Sequence, residues 1–188
     1  MHPADLLPPK GQAVKTEGTN MAIRRDVLAA VGGFDPVYHF YLDETDLNIR
    51  LARGGYVTAI APLAHVHHGF AKSISRRADR VPSDLFDIGA NWTVFQRKFI
   101  DQNVWNAHWD GIIKLERKRL ISHMISGGLE PRSVRSLIRS LRKGYDAGKT
   151  REITALQIAN HSTRPFLPFP AIKRKNVFLE TRPIRARH

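Results

Sequence analysis

Asp43, Glu44 and Asp46 place three carboxylates within four positions, the densest acidic group in the chain. A carboxylate held at a reacting hydroxyl can act as a general base. The same residues also suit a plainer role. Asp43 is a good helix N-cap, and Glu44 and Asp46 in a first turn are favoured by the positive helix end, at about 0.3–1 kcal/mol each. A second group, His65, His67 and His68, could suggest a metal cluster. An H-x-H-H run on a strand end, however, throws its rings to opposite faces, so a dedicated metal site is not expected there.

The elements that must position these residues follow from periodicity. "TNMAIRR" reads as a short strand and "RRDVLAAVGG" as a short helix stopped by Gly32-Gly33. "FDPVYHFYL" reads as an aromatic loop, because Pro36 after Asp35 breaks regular structure. A helix is expected from Asp43, with Leu47 and Leu51 on one face, Asp46 and Arg50 as an i,i+4 pair, and Gly54-Gly55 as its end. "YVTAIAP" then reads as a strand closed by Pro62. Leu85, Ile88, Trp92, Phe95 and Phe99 form an apolar helical stripe. Ile113, Leu120, Ile121 and Met124 mark another helix, stopped by Gly127-Gly128. A third starts at Pro131, with Val134, Leu137, Ile138 and Leu141 facing one way. The expectation is an α/β fold followed by a mostly helical extension. Its parts are an irregular lead over 1–17, an α/β segment over 18–80, a helical extension over 81–150 and a basic, Pro-containing tail over 151–188. Two short strands cannot make a stable sheet alone, so the α/β segment reads as the end of something larger.

Composition sets the bounds. At 188 residues with 42% hydrophobic content, the chain can bury a core of ordinary size. It has no Cys, which excludes disulfides, thiolate metal sites and a Cys nucleophile and fits a reducing compartment. No apolar run approaches the ~20 residues that span a bilayer, and the start lacks a signal-peptide pattern, so a cytoplasmic chain is expected. The net charge of +13 is uneven: residues 1–130 carry +2 and residues 131–188 carry +11. A basic block of that size suggests an anionic partner, or a solvated tail.

The run "GTNMAIRRDVLAAVGGFDPVYHFYLDETDLNIRLARGGYVTAIAP" resembles the acceptor half of the glycosyltransferase family 2 enzymes, which have a GT-A (nucleotide-diphospho-sugar transferase-like) fold. The matching elements are "G-x-N-M-A-x-R-R", the helix ending "VGGFD", the aromatic "FYL", the acidic "DETDL-x-x-R", and "GGY" before a strand. A weaker likeness continues through Pro62, Ala64, Val66 and His68. The resemblance implies inverting transfer of a sugar from a nucleotide-sugar donor to an acceptor hydroxyl, in cell-surface polysaccharide or glycolipid synthesis. In that family an acidic pair, often Glu then Asp, supplies the base from its second member. Here the order is reversed, so Glu44 takes the base's position with one extra methylene, and Asp43 is second choice. Asp46 is expected to support the helix start or Arg50. His68 would be a metal ligand or diphosphate contact, or a loop histidine without a special task. Asn20 and Arg24 would line an acceptor groove or serve structure.

The complete enzymes hold Mg²⁺ or Mn²⁺ on an Asp-x-Asp motif in the donor half. This sequence has no D-x-D, and only 17 residues precede "GTNMA". It also lacks Q-x-x-R-W, which disfavours a processive polymer synthase. The expectation is therefore a C-terminal piece of such an enzyme, as a fragment, a split gene product or a truncated copy, that binds no nucleotide sugar tightly by itself; whether it is active without a donor-binding half is left open. The helix over 131–143, apolar on one side and carrying Arg132, Arg135, Arg139, Arg142 and Lys143 on the others, fits two descriptions. It could lie at an anionic membrane as an interfacial helix, making the chain peripheral at the inner face of the cytoplasmic membrane, or pack on the domain with solvated arginines. Two rival functions stay open. One is nucleic-acid binding by the tail, where Phe166, Phe169 and Phe178 could stack bases, although no nucleic-acid motif is present. The other is a non-catalytic interaction module.

Overall fold

A computed structural model describes residues 13–61, 63–69, 72–153 and 156, together with the backbone of Asp5–Leu6. Pro62 and the tail phenylalanines lie outside the described residues. The elements in chain order are β1 (Asp5–Leu6), α1 (Arg25–Ala30), α2 (Asp43–Arg53), β2 (Thr58–Ala59), α3 (Phe86–Phe99), α4 (Trp105–Ile125) and α5 (Pro131–Gly148). Short 3-10 turns cover Gly18–Asn20 and Gln102–Val104. Glycine supplies the stops. At the end of α2, Gly55 takes φ +76° and Tyr56 N–H returns to Leu51 O at 3.1 Å. At the end of α4, Gly127 takes the same φ and Gly128 N–H returns to His123 O at 2.8 Å.

Strand content is smaller than the sequence suggests. "TNMAIRR" is not a strand: it opens in the 3-10 turn and continues without ladder partners among the described residues. The Asn20 side chain is used instead, donating to Ala64 O at 3.0 Å. Of "YVTAIAP", Thr58–Ala59 is the part that pairs among the described residues, antiparallel to Asp5–Leu6 with Asp5 opposite Ala59 and Leu6 opposite Thr58.

Helix α3 is the element on which the others pack. Its sequence stripe is buried at Leu85, Ile88 and Phe95, but Ala90, Asn91, Thr93, Val94 and Gln96 on its other sides are buried too. One side meets Leu120, Leu137 and Leu141 from α4 and α5. Each such leucine contributes roughly 1.5–3 kcal/mol by leaving water. Another side meets Tyr38 and Leu42 from the aromatic loop. Helix α3 thus takes part in two hydrophobic clusters, one with α4 and α5 and one with the aromatic loop, within a compact unit covering Met1–Ile158.

The α3–α5 contact is unusually close. A Cβ on Gly144 would sit 1.9 Å from Phe86 O, one on Gly89 2.0 Å from Leu141 O, and one on Gly148 2.5 Å from Ala90 O. No side chain fits there, so the two backbones touch. This contact uses the apolar side of α5, and Arg132, Arg135, Arg139, Arg142 and Lys143 are left exposed. An interfacial helix burying that apolar side in lipid is excluded, because the protein core already occupies it. Helix α4 buries Ile112, Glu116 and Leu120, a line turned from the expected Ile113, Leu120, Ile121 and Met124. The turn brings Glu116 inward, where Arg119 pairs with it at 2.7 Å. Among the described residues, no helix is long and apolar enough to cross a membrane.

Candidate functional site

Helix α2 starts at Asp43, so Asp43 is the first helical residue rather than the N-cap. The cap position belongs to Leu42, and no side chain caps the helix there. The reason is the turn that delivers the chain. Tyr41 and Leu42 both lie in the left-handed region, at φ +75° and +73°. Such a conformation costs a residue with a Cβ about 1–3 kcal/mol and persists only where surrounding contacts over-determine it.

Those contacts are visible. Asn91 of α3 is fully buried and its Nδ2 donates to the carbonyls of both Phe40 and Tyr41, the second at 2.9 Å. Its Oδ1 accepts from Arg151 Nη1 at 2.9 Å, and the same nitrogen reaches Val37 O at 3.0 Å. Arg151 also lies 3.7 Å from Asp87. One amide and one guanidinium therefore pin the aromatic loop along its length, while the Leu42 side chain is sealed in the core.

The three carboxylates divide into two environments. Asp46 is completely buried and points inward. Its Oδ1 accepts from Arg50 Nε at 2.6 Å, and its Oδ2 is bound by Lys98 Nζ. Lys98 also bonds Asp35 Oδ2 at 2.8 Å, and Arg50 Nη1 donates to Val31 O. Asp46 is thereby committed to two cations. The expected Asp46–Arg50 support is present, and Lys98 and Asp35 extend it. The Tyr38 ring lies beside this network, and its phenol is pushed upward by burial and then by the negative charge of Asp46.

Asp43 and Glu44 are half-buried and lie outside that network. Burial pushes the Glu44 carboxyl from an ordinary 4.5 up to about 7, with Asp43 adding to the push and Glu17 giving a smaller one. A carboxyl tuned there is partly ionised at neutral pH and is a stronger base than a free glutamate. One turn along the same face, Asn48 Oδ1 accepts from Thr16 Oγ1 at 3.0 Å. The Asn48 Nδ2 is buried without a hydrogen-bond partner.

The remaining sequence candidates have settings of their own. Arg24 forms an exposed two-point bond with Asp26 at the start of α1, at 3.1 and 2.6 Å. Asn20 holds the chain to residue 64. His65, His67 and His68 are exposed on an irregular segment. Among the described residues, no group of three His, Asp or Glu side chains could hold a metal ion.

Sequence reasoning missed Asn91, Arg151, Lys98 and Asp35. For Asn91 a signal was available: an amide inside a strongly apolar helix must find partners when buried, and it does so here on a loop about 50 residues earlier.

Comparison with known proteins gives a partial match. The N-acetylglucosaminyl-diphospho-decaprenol L-rhamnosyltransferases of two Mycobacterium tuberculosis strains, CDC 1551 / Oshkosh and ATCC 25618 / H37Rv, are each 37% identical to this chain over 59 residues. That stretch is 31% of this chain and 19% of each relative, so the match spans about a fifth of the relatives' length. Over it the chain is similar to a glycosyltransferase. No family model matches the chain. No solved structure matches it.

Proposed function

We propose that the segment from residue 18 to residue 68 is the acceptor side of an inverting, family 2-like glycosyltransferase of GT-A type, with Glu44 as its base. The acceptor is a hydroxyl of a saccharide, carried on a polyprenyl diphosphate as in the name of the relatives, and the donor is a nucleotide sugar. The acceptor hydroxyl gives its proton to Glu44 as its oxygen bonds to the anomeric carbon, and the bond from that carbon to the nucleotide diphosphate breaks on the opposite face. Asp43 raises the proton affinity of Glu44, and Asn91 with Arg151 fixes the turn that aims it. Asp46 takes no part in proton transfer, because Lys98 and Arg50 hold it. No step is routed through a metal.

One observation carries this reading: a half-buried glutamate whose carboxyl is pushed up to about 7, two residues after a strained turn that buried hydrogen bonds hold in place. A carboxylate serving only to favour a helix end would need neither the burial nor the strain.

The test is transfer of a labelled sugar from a nucleotide donor to a polyprenyl-diphosphate saccharide, by the chain alone and with a donor-binding domain supplied in trans. Glu44→Gln should lower turnover by roughly 10²–10⁴-fold with an unchanged circular dichroism spectrum. Near-normal turnover by Glu44→Gln removes Glu44 from the role. Absence of transfer by the unmodified chain in both formats favours the non-catalytic interaction module.

A further inference from the structure

The basic charge of α5 is confined to one face. At 100° per residue, Arg132, Arg135, Arg139, Arg142 and Lys143 fall within an arc of roughly 100°, opposite the buried Leu137, Leu141, Gly144 and Gly148. At 1.5 Å rise per residue they form a straight row of about 16 Å. Arg132 pairs with Glu130 at 2.5 Å and Lys149 with Asp146 at 2.6 Å, which leaves the row at +4. We propose that this face is an electrostatic docking surface for an anionic lipid bilayer, on which α5 lies flat without inserting.

The form of contact follows from the packing behind the row. The apolar side of α5 lies against α3 with backbone touching backbone at Gly144 and Gly148, so the helix cannot rotate its leucines outward. An amphipathic helix that inserts binds through buried apolar area and tolerates salt. A row of cations on a helix locked from behind binds through charge alone, so it requires acidic headgroups and is screened by salt. A flat sheet of headgroups can meet all five cations at once. The face offers no aromatic or amide side chain: between the cations stand small residues such as Ser136, which neither stack on bases nor read their edges. Nucleic acid could be held there through its phosphates alone, without base recognition; the flat bilayer, which reaches all five cations at once, is the occupant proposed. This argument stands whether or not the chain transfers sugar.

The experiment is vesicle co-sedimentation of the full chain, at 20 and 300 mM NaCl. The vesicles are pure phosphatidylcholine, or phosphatidylcholine with about a third phosphatidylglycerol. Binding is expected on the anionic vesicles at low salt, with loss at high salt and none on the neutral ones. Arg135→Glu/Arg139→Glu should weaken partitioning by at least 25-fold, at roughly fivefold per charge removed. Arg135→Gln/Arg139→Gln should show about that loss with the fold intact by circular dichroism. Lys72→Glu/Lys114→Glu lowers net charge equally but lies off the row, and should bind as the unmodified chain does. Equal loss in that control would overturn the proposal, because overall charge would then drive binding. Salt-resistant binding, binding to neutral vesicles, or preference for a 20-base-pair duplex over anionic vesicles would overturn it as well.

Discussion

Helices α3 and α5 are held by shape, whereas the aromatic loop and α2 are held by charge and amide bonds. In the first region three glycines bring two backbones together beside buried leucines and Ile88, and the buried polar side chain at the seam, Thr93, donates across it to Tyr145 O at 2.7 Å. In the second, two acids and two cations are buried together, and a single asparagine supports a turn with two left-handed residues. Apolar packing tolerates no strain worth keeping. Polar pinning can hold a conformation the chain would otherwise leave, at the cost of depending on a few atoms. The half-buried Glu44 lies in the second region. A carboxyl can be kept in a costly position there, because the surrounding bonds enforce the backbone that carries it.

Substitutions can break this contrast, and the charged region should fail hardest. Lys98→Met leaves Asp35 and Asp46 buried around a missing cation and should cost about 3–5 kcal/mol in urea denaturation, a large part of a domain's stability. In the shape-held region, Gly144→Ala places a methyl 1.9 Å from a carbonyl oxygen that belongs to a helix. The helices must separate, at a cost of roughly 1–3 kcal/mol with no change in pH dependence. Asn91→Ala orphans the carbonyls of Phe40 and Tyr41, for about 1–3 kcal/mol. Tyr41 and Leu42 should then relax, visible as changed chemical shifts confined to the loop and the start of α2.

The smallest effect sharpens the comparison. The folded chain holds a proton on Glu44 more tightly than the unfolded chain, at about 7 against 4.5. Between those values the folded state carries more protons, so Glu44 makes stability fall as pH rises through the window. Glu44→Gln should flatten that slope, measured as midpoint against pH. An unchanged slope would show that Glu44 is solvated like any surface carboxylate.

Much of this was legible in the residues, and the parts that were not share a cause. Helices α2, α3 and α5 are visible because apolar spacing, Gly54-Gly55 and Pro131 are local signals. The Asp46–Arg50 pair is visible for the same reason, being one turn apart. Lys98 is 52 residues from Asp46 and 63 from Asp35, so no spacing rule connects them. The left-handed Tyr41 and Leu42 carry no glycine or asparagine to announce them. The glycines of α3 and α5 look like weak points in helices until the opposite backbone is in view. Glu44 and Asp43 are singled out as candidates from residue type and order, whereas the burial that separates them from Asp46 requires the fold.

The glycine seam has one more consequence. Side chains that interdigitate can loosen by changing rotamers one at a time, giving a gradual series of slackened arrangements. At the three glycines carbonyl lies against Cα and there are no rotamers to change, so any slack between α3 and α5 has to come from the flanking leucines or from moving a whole helix. A force on the outer surface of α5 therefore bears directly on the backbone of the helix that carries Asn91.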